Sequence, residues 1–181
     1  MYRFYKQTPR LILREMRPED APALFLLNED PEVLRFTGDV PFASVEQARE
    51  FLAAYPSTSY LKDGYGRWVC QSRDTDEALG WCGLRMQDDG EVDLGYRLLR
   101  SCRGRGYATE AAAACLDTGF QELGLTTIVA RAANANAASL RVIEKLGMRR
   151  RAAVQCHGLD STLYALTREQ WSQHPLSRAL R

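Results

Sequence analysis

The residues with the clearest chemical potential are Cys102-Arg103-Gly104-Arg105-Gly106-Tyr107-Ala108-Thr109-Glu110, which join a predicted strand to a long alanine-rich stretch through a turn holding two glycines. The first amides of a helix have no partner inside it and stand at the positive end of its dipole, and glycine lets an anion approach the backbone closely. Arg103, Gly104, Arg105, Gly106, Tyr107, Ala108 and Thr109 thus make a candidate cradle for a pyrophosphate, with the two guanidiniums adding charge at its rim. The absence of Gly-Lys-Ser/Thr excludes a P-loop. The absence of a third glycine, and of a following strand with a ribose-binding acid, excludes a dinucleotide fold. The same residues also fit a tight helix entry whose arginines are merely solvated. An RNA-binding Arg-Gly segment would be long, repetitive and disordered, whereas this one is short and runs straight into a helix.

A second constellation lies downstream in RAANANAASLRVIEKLGM. Ser139, Val142, Ile143 and Leu146 have the i, i+3, i+4, i+7 spacing of one helix face, and Asn136 lies a turn before Ser139 on that face. A buried stripe that begins with Asn and Ser needs hydrogen-bond partners for both. The competing explanation is local: Asn134 or Asn136 caps the helix and Ser139 bonds back to its own backbone.

The elements that must position these residues follow from periodicity. RLILREMR predicts a strand over 10–17, Pro18 opens a helix to about Asn28, DPEVLRFTGDVPF predicts turns, and Ser44 caps a helix over Val45 to Ala54. RWVCQSR, ALGWCGLRM and EVDLGYRLL predict three strands joined by tight turns. The alanine-rich helix bounded by Gly106 and Gly124 comes next, then a strand in TTIVARA, a helix over Asn136 to Leu146, and two strands over Arg149 to Gln155 and Ser161 to Leu166. The order predicts an α+β chain with a mixed sheet in one domain spanning 1–181, its core at 10–166 and a C-terminal tail at 167–181.

Composition bounds the function. With 181 residues, 45% hydrophobic and 26% charged, the chain has the make-up of an ordinary globular protein. No apolar run approaches the roughly 18–20 residues that span a bilayer, and Met1 to Gln7 carries no secretory pattern, so a cytoplasmic protein without membrane partners is expected. A net charge of +1 offers no general field for nucleic acid. Five cysteines with no Cys-x-x-Cys pair, and only two histidines, predict neither a disulfide framework nor a metal site.

Taken together, these motifs resemble the GNAT superfamily of N-acetyltransferases. Arg103-x-x-Gly106-x-Ala108 is similar to its acyl-CoA pyrophosphate motif, Asp93-Leu94-Gly95-Tyr96-Arg97-Leu98 to its cofactor-binding strand, and Asn136-x-x-Ser139 through Met148 to the motif after the next strand. Asp30-Pro31-Glu32-Val33 and Gly80-Trp81-Cys82-Gly83-Leu84 resemble the branch of ribosomal-protein N-terminal alanine acetyltransferases, RimJ/RimL-like. The resemblance covers about Arg10 to Leu166. It implies a mostly antiparallel mixed sheet of about seven strands, flanked by helices and splayed between strands 4 and 5, with acetyl-CoA as cofactor and CoA as product. Leu98 and Leu99 would supply main-chain contacts beside the thioester, and Asn136 a contact to the pantetheine arm.

Direct transfer of an acetyl group to an amine needs a neutral nucleophile, a stabilised oxyanion and a proton for the departing thiolate. Glu91 and Asp93 share one strand face and are the candidate bases; the resemblance favours Asp93, and both also fit the role of exposed acids that keep a strand edge soluble. Ser139 is the candidate proton donor, with Tyr96 and Tyr107 in reserve. The acceptor, whether a protein N-terminus, an amino acid or another small amine, is expected to be recognised by Leu34 to Phe42, the helix from Val45 and the turn near His157 to Asp160. The resemblance also allows a homodimer. The alternatives are an acyl-CoA sensor that no longer transfers and, through the Arg103/Arg105 and Arg149 to Arg151 clusters, a nucleic-acid binder whose affinity would fall steeply with salt.

Overall fold

The computed structural model describes residues 4–179. Its strands are β1 Phe4–Gln7, β2 Leu11–Arg14, β3 Arg67–Ser72, β4 Ala78–Met86, β5 Val92–Leu98, β6 Thr127–Ala133, β7 Arg149–Cys156 and β8 Leu159–Thr167. Its α-helices are α1 Ala21–Glu29, α2 Pro31–Thr37, α3 Val45–Thr58, α4 Tyr60–Asp63, α5 Tyr107–Asp117, α6 Ala137–Lys145, α7 Arg168–Gln173 and α8 Pro175–Ala179. The strands form one sheet in the order β1-β2-β3-β4-β5-β6-β8-β7. Every neighbouring pair is antiparallel except β5 and β6, which run parallel. The sheet has one strand more than expected, because β1 pairs with β2 ahead of the first predicted strand. Four residues at a sheet edge are too few for alternation to mark them.

Two helical layers cover the sheet. Leu84, Leu94 and Ile128 on one face join a core with Ala111 to Leu116 of α5, Ile143 of α6 and Trp171 of α7. Val69 and Trp81 on the other face pack with Ala21, Leu27, Val33, Ala48 and Leu52 of α1, α2 and α3. Ala111 through Leu116 are at most 2% exposed, so α5 is buried all round. Small side chains permit that, because they let the helix lie close against the strands.

The segment after Asp30, predicted as turns, contains α2. Its local signals are complete: the Asp30 side chain accepts from Glu32 N at 3.0 Å, Pro31 occupies the first turn, and Gly38 closes the helix in the left-handed conformation. Seven residues are too few for apolar periodicity to show. Ser44 caps α3 as expected, accepting from Gln47 N at 3.2 Å, and the helix continues past Ala54 through Pro56 to Thr58.

The C-terminal residues expected as a tail are instead part of the fold. Thr167 caps α7 through a capping box with Gln170, and Trp171 is fully buried with its Nε1 directed at Asp117 Oδ1, 3.5 Å away. One Trp among five polar residues gives no helical period, so only packing reveals its destination. Trp171→Ala is expected to cost about 3–5 kcal/mol, as loss of a fully buried large aromatic does; urea unfolding of the two proteins measures it, and a cost below about 1 kcal/mol would show that α7 is a dispensable appendage.

Candidate active site

The parallel pair β5 and β6 meets at a single bridge, Asp93 to Val129. Beyond it Leu94 to Leu98 and Ala130 to Ala133 are paired only with their outer neighbours, β4 and β8, which leaves a wedge in the middle of the sheet. Unsatisfied main-chain groups on facing strands are a template for an extended chain of amides. The wedge opens toward the C-terminal end of β5, where a short 3₁₀ turn, Arg100–Cys102, leads to the glycine turn and α5.

The glycine turn has the geometry of an anion cradle. Gly104 and Gly106 have φ of +74° and +83°, a conformation that side chains disfavour, and the turn is exposed over 104–106. Within α5 the ladder begins with Glu110 N donating to Gly106 O at 3.1 Å, so the amides just before it project from the helix start. The turn is fastened from behind. Glu110 accepts from Thr8 Oγ1 at 2.6 Å and from Arg10 N at 2.9 Å, and Arg10 reaches on to Arg105 O at 2.9 Å. Burial alone would raise the Glu110 carboxyl, but these hydrogen bonds and the Arg10 charge hold it below the usual range.

Arg103 behaves differently from the expectation of a rim cation. Its guanidinium donates to Leu98 O at 3.0 Å, to Asp30 at 2.6 Å and to Glu32 at 3.0 Å, and its own amide donates to Arg100 O. It braces the start of α2 against the cofactor strand, and its charge is already matched. Leu98 O is taken by that brace and Leu99 N donates to Leu79 O, so these two main-chain groups, expected beside the thioester, are engaged within the protein. Arg105 stays at the surface with its guanidinium over the ring of Tyr107, which also carries Arg10.

On the far side of the wedge, Asn136 caps α6, its Oδ1 accepting from Ser139 N at 3.1 Å, while Asn134 Oδ1 accepts from Thr162 Oγ1 at 2.8 Å. Ser139 does not bond back to its own turn. Its Oγ lies 2.9 Å from the phenol oxygen of Tyr96, which also donates to Ser139 O at 3.1 Å. Tyr96 projects from β5 and Ser139 from α6, so the pair spans the wedge. Burial pushes the Tyr96 phenol far above its ordinary value, against the pull of the Ser139 bond, so it keeps its proton. Of the two reserve tyrosines, the fold brings Tyr96 to Ser139 and sends Tyr107 to the phosphate turn.

Asp93 and Glu91 face the opposite side of the sheet, and neither is a free strand-edge acid. Arg131 of β6 donates to Asp93 Oδ1 at 2.9 Å, to Glu91 at 3.2 Å and to Asp89 at 2.6 Å, and Arg151 also pairs with Glu91. Burial raises the Asp93 carboxyl to about 6, and Arg131 keeps it from going higher. The sequence signal for Arg131 was present: it is the polar residue in the alternation of TTIVARA, on the face that Val129 shares with Asp93. Over this face, the α2–α3 loop approaches the β7–β8 turn. Gly38 lies so near His157 that an added Cβ would stand 2.7 Å from the imidazole's Cβ, and Asp39 pairs with Arg97 of β5. Two of the three segments named for the acceptor, Leu34 to Phe42 and the turn near His157, thus meet over this face.

Against this geometry, the model of the acetyltransferase (GNAT) domain matches residues 10–149. The chain belongs to the GNAT acetyltransferase family. The uncharacterised N-acetyltransferase p20 of Bacillus licheniformis is 35% identical over 145 residues, covering 79% of this chain and 81% of that protein. A GNAT-family acetyltransferase structure from Bacillus anthracis superposes with a TM-score of 0.77 at 27% identity, covering 92% and 99% of the two chains. Mycobacterium smegmatis RimJ, solved in complex with CoA-disulfide, has the same fold with a TM-score of 0.77 at 22% identity over 94% of this chain and 87% of its own. The chain is accordingly an N-acetyltransferase of the GNAT family, whose members use acetyl-CoA and act on amines. Among the described residues no helix is long and apolar enough to cross a membrane.

Because Arg131 is what restrains the Asp93 carboxyl, Arg131→Met should raise its pKa above about 6. Carboxyl titration by NMR reads the shift; an unchanged value would mean that burial alone sets it.

Proposed function

We propose that this GNAT enzyme binds acetyl-CoA along the wedge and the glycine turn and passes its acetyl group directly to a primary amine that enters from the Asp93 face. The observation that carries this is the wedge itself: one bridge at Asp93 and Val129, open beyond it, and leading straight to the two left-handed glycines at the start of α5. Acetyl-CoA supplies the activated acyl carbon. Pantetheine amides would complete the unpaired edges of β5 and β6, and pyrophosphate would take the projecting amides of the glycine turn. The M. smegmatis RimJ, which shares the fold and was solved in complex with CoA-disulfide, supports CoA binding by analogy of fold.

The two halves of the chemistry then fall on opposite faces of the sheet. On the α6 face, the Ser139 hydroxyl relays a proton to the departing thiolate, and Tyr96 holds that hydroxyl in position. On the other face, Asp93 receives the proton that the amine loses. A carboxyl near 6 is mostly ionised at pH 7 yet still basic enough to share a proton, which suits a general base. Glu91, paired with both Arg131 and Arg151, supports Asp93 through the shared arginine. An α-amine, with an ordinary pKa of about 8, asks less of such a base than a lysine at about 10.4.

Ser139→Ala is expected to lower kcat by about 100-fold, a usual value for loss of one proton-transfer group, while acetyl-CoA affinity changes by less than about 2-fold. Free-thiol release and calorimetric titration read the two quantities; full turnover in the variant would remove Ser139 from the mechanism. Asp93 must be ionised to act, so kcat/KM should fall as pH drops through about 6, and Asp93→Asn should abolish that inflection along with most of the activity. A pH profile with the inflection intact in Asp93→Asn would assign it to another group.

A further inference from the structure

The acceptor face holds a half-buried cation that no carboxylate matches. Arg67 of β3 pairs across the sheet with Gly83, and Gly83 with Gly95. At Gly83 the missing side chain admits the backbone of Gly66 and Arg67, which would stand 2.3 and 2.5 Å from an added Cβ, and at Gly95 it admits the Trp81 ring and, beyond it, the guanidinium. It stacks over the ring of Trp81 at 4.2 Å, with Nη2 reaching to 3.9 Å from the place a Cβ on Gly95 would occupy. Gly95 belongs to the part of β5 that borders the wedge, two residues beyond Asp93. The Arg67 head is therefore delivered from the third strand to the edge of the acceptor site.

Arg67 makes no ion pair among the described residues, and its Nε is buried without a hydrogen-bond partner. Around it stand Tyr55, Asp93, Arg85 and Arg97. Asp93 is bonded to Arg131, Arg97 is paired with Asp39, and Arg85, exposed opposite Asp93, only adds positive charge. Burial, followed by the repulsion of the two arginines, weakens the hold of Arg67 on its proton. A half-buried guanidinium whose Nε is out of reach of water, and whose nearest charges are two arginines and an acid already bonded to Arg131, lacks the counter-charge that a structural ion pair supplies. Its side-on edge, Nε with Nη2, matches the two oxygens of a carboxylate.

Building on the acetyltransferase reading above, we propose that Arg67 is a substrate-specificity residue, and that the acceptor is a small amine carrying a carboxylate, an α-amino acid or close relative, whose carboxylate pairs with the Arg67 guanidinium while its amine lies toward Asp93 and the wedge. Trp81 floors this subsite, and Gly95, where a Cβ would stand 3.3 Å from the Trp81 ring, makes room for the stacked pair beside β5. A protein N-terminus, by contrast, has its first carboxyl tied up in a peptide bond and leaves Arg67 unmatched.

The test compares proteinogenic α-amino acids with their α-carboxamides, their decarboxylated amines and short peptides that begin with the same residues, by thiol release at saturating acetyl-CoA. The wild-type enzyme should favour the free acid of at least one residue type by about 30-fold or more in kcat/KM, since a site built for a charged group rejects analogues that lack it. In Arg67→Met that preference should shrink to within about 3-fold, whereas Arg67→Lys should retain part of it. Arg67→Met should also keep or raise the melting temperature, because an unmatched half-buried charge is gone; a lower one would mark Arg67 as structural. Acid and carboxamide used alike, a preference for peptides, or a preference that survives Arg67→Met would each overturn the proposal. An independent arm titrates the CoA-loaded protein with the N-acetyl amino acids and their N-acetyl amides. Acid-selective binding lost in Arg67→Met supports the subsite even if no thiol is released, a result that would count against the transfer reading alone. Equal binding, or none, rules the subsite out.

Discussion

Everything that makes this molecule more than a covered sheet depends on the parallel alignment of β5 and β6 with a single bridge between them. A fully zipped parallel pair would satisfy its main-chain groups internally and leave nothing for a ligand to complete. Here the two strands touch at Asp93 and Val129 and part beyond that point, while β4 and β8 hold their outer edges in long, regular ladders. Each half-sheet is a continuous antiparallel ladder, so the strands around the opening hold it in place. Trp171 and the α5 alanines close one face beneath the opening, and α1 to α3 close the other.

The charges near the wedge show how the fold separates binding from structure. Arg103, which in the sequence looks like a ligand for phosphate, is structural once folded. Arg103 locks the Asp-Pro-Glu start of α2 to β5, and Arg10 anchors the glycine turn through Glu110. Arg131 holds three acids at once and sets how strongly Asp93 binds its proton. The arginines left without an acid are the informative ones, because a folded protein rarely buries a cation with no counter-charge unless something else provides it. Arg67 on the acceptor face, half-buried with its Nε unpartnered, is of this kind, whereas Arg105 at the phosphate turn is exposed and solvated.

The hydroxyl pair of Tyr96 and Ser139 illustrates a different economy. The phenol bonds both the carbonyl and the hydroxyl of one residue, so a single side chain from β5 fixes the start of α6 relative to the wedge and orients the serine that faces it. Asn136 completes the arrangement by capping the same helix through the Ser139 amide. The motif residues Asn136 and Ser139 thus shape the helix start as well as offering polar groups to a ligand, which is why capping and function could not be told apart from spacing.

The sequence by itself determined the family, the α+β class, nearly every strand and the position of the glycine turn. These rest on short-range periodicity and turn chemistry, and each is expressed within a window of a few residues. It also identified Ser139, Asp93 and Glu91 as the groups worth watching. It did not show β1, α2 or the docking of Trp171, whose segments are too short to carry a period. Nor did it show which arginine meets which acid. Arg131 and Asp93 are far apart in the chain, as are Tyr96 and Ser139, and Arg67 reaches Gly95 only because Gly83 stands between them in the sheet. Those pairings depend on strand order and register, and register arises from the packing of the whole sheet against its two helical layers, so tertiary structure alone decided them.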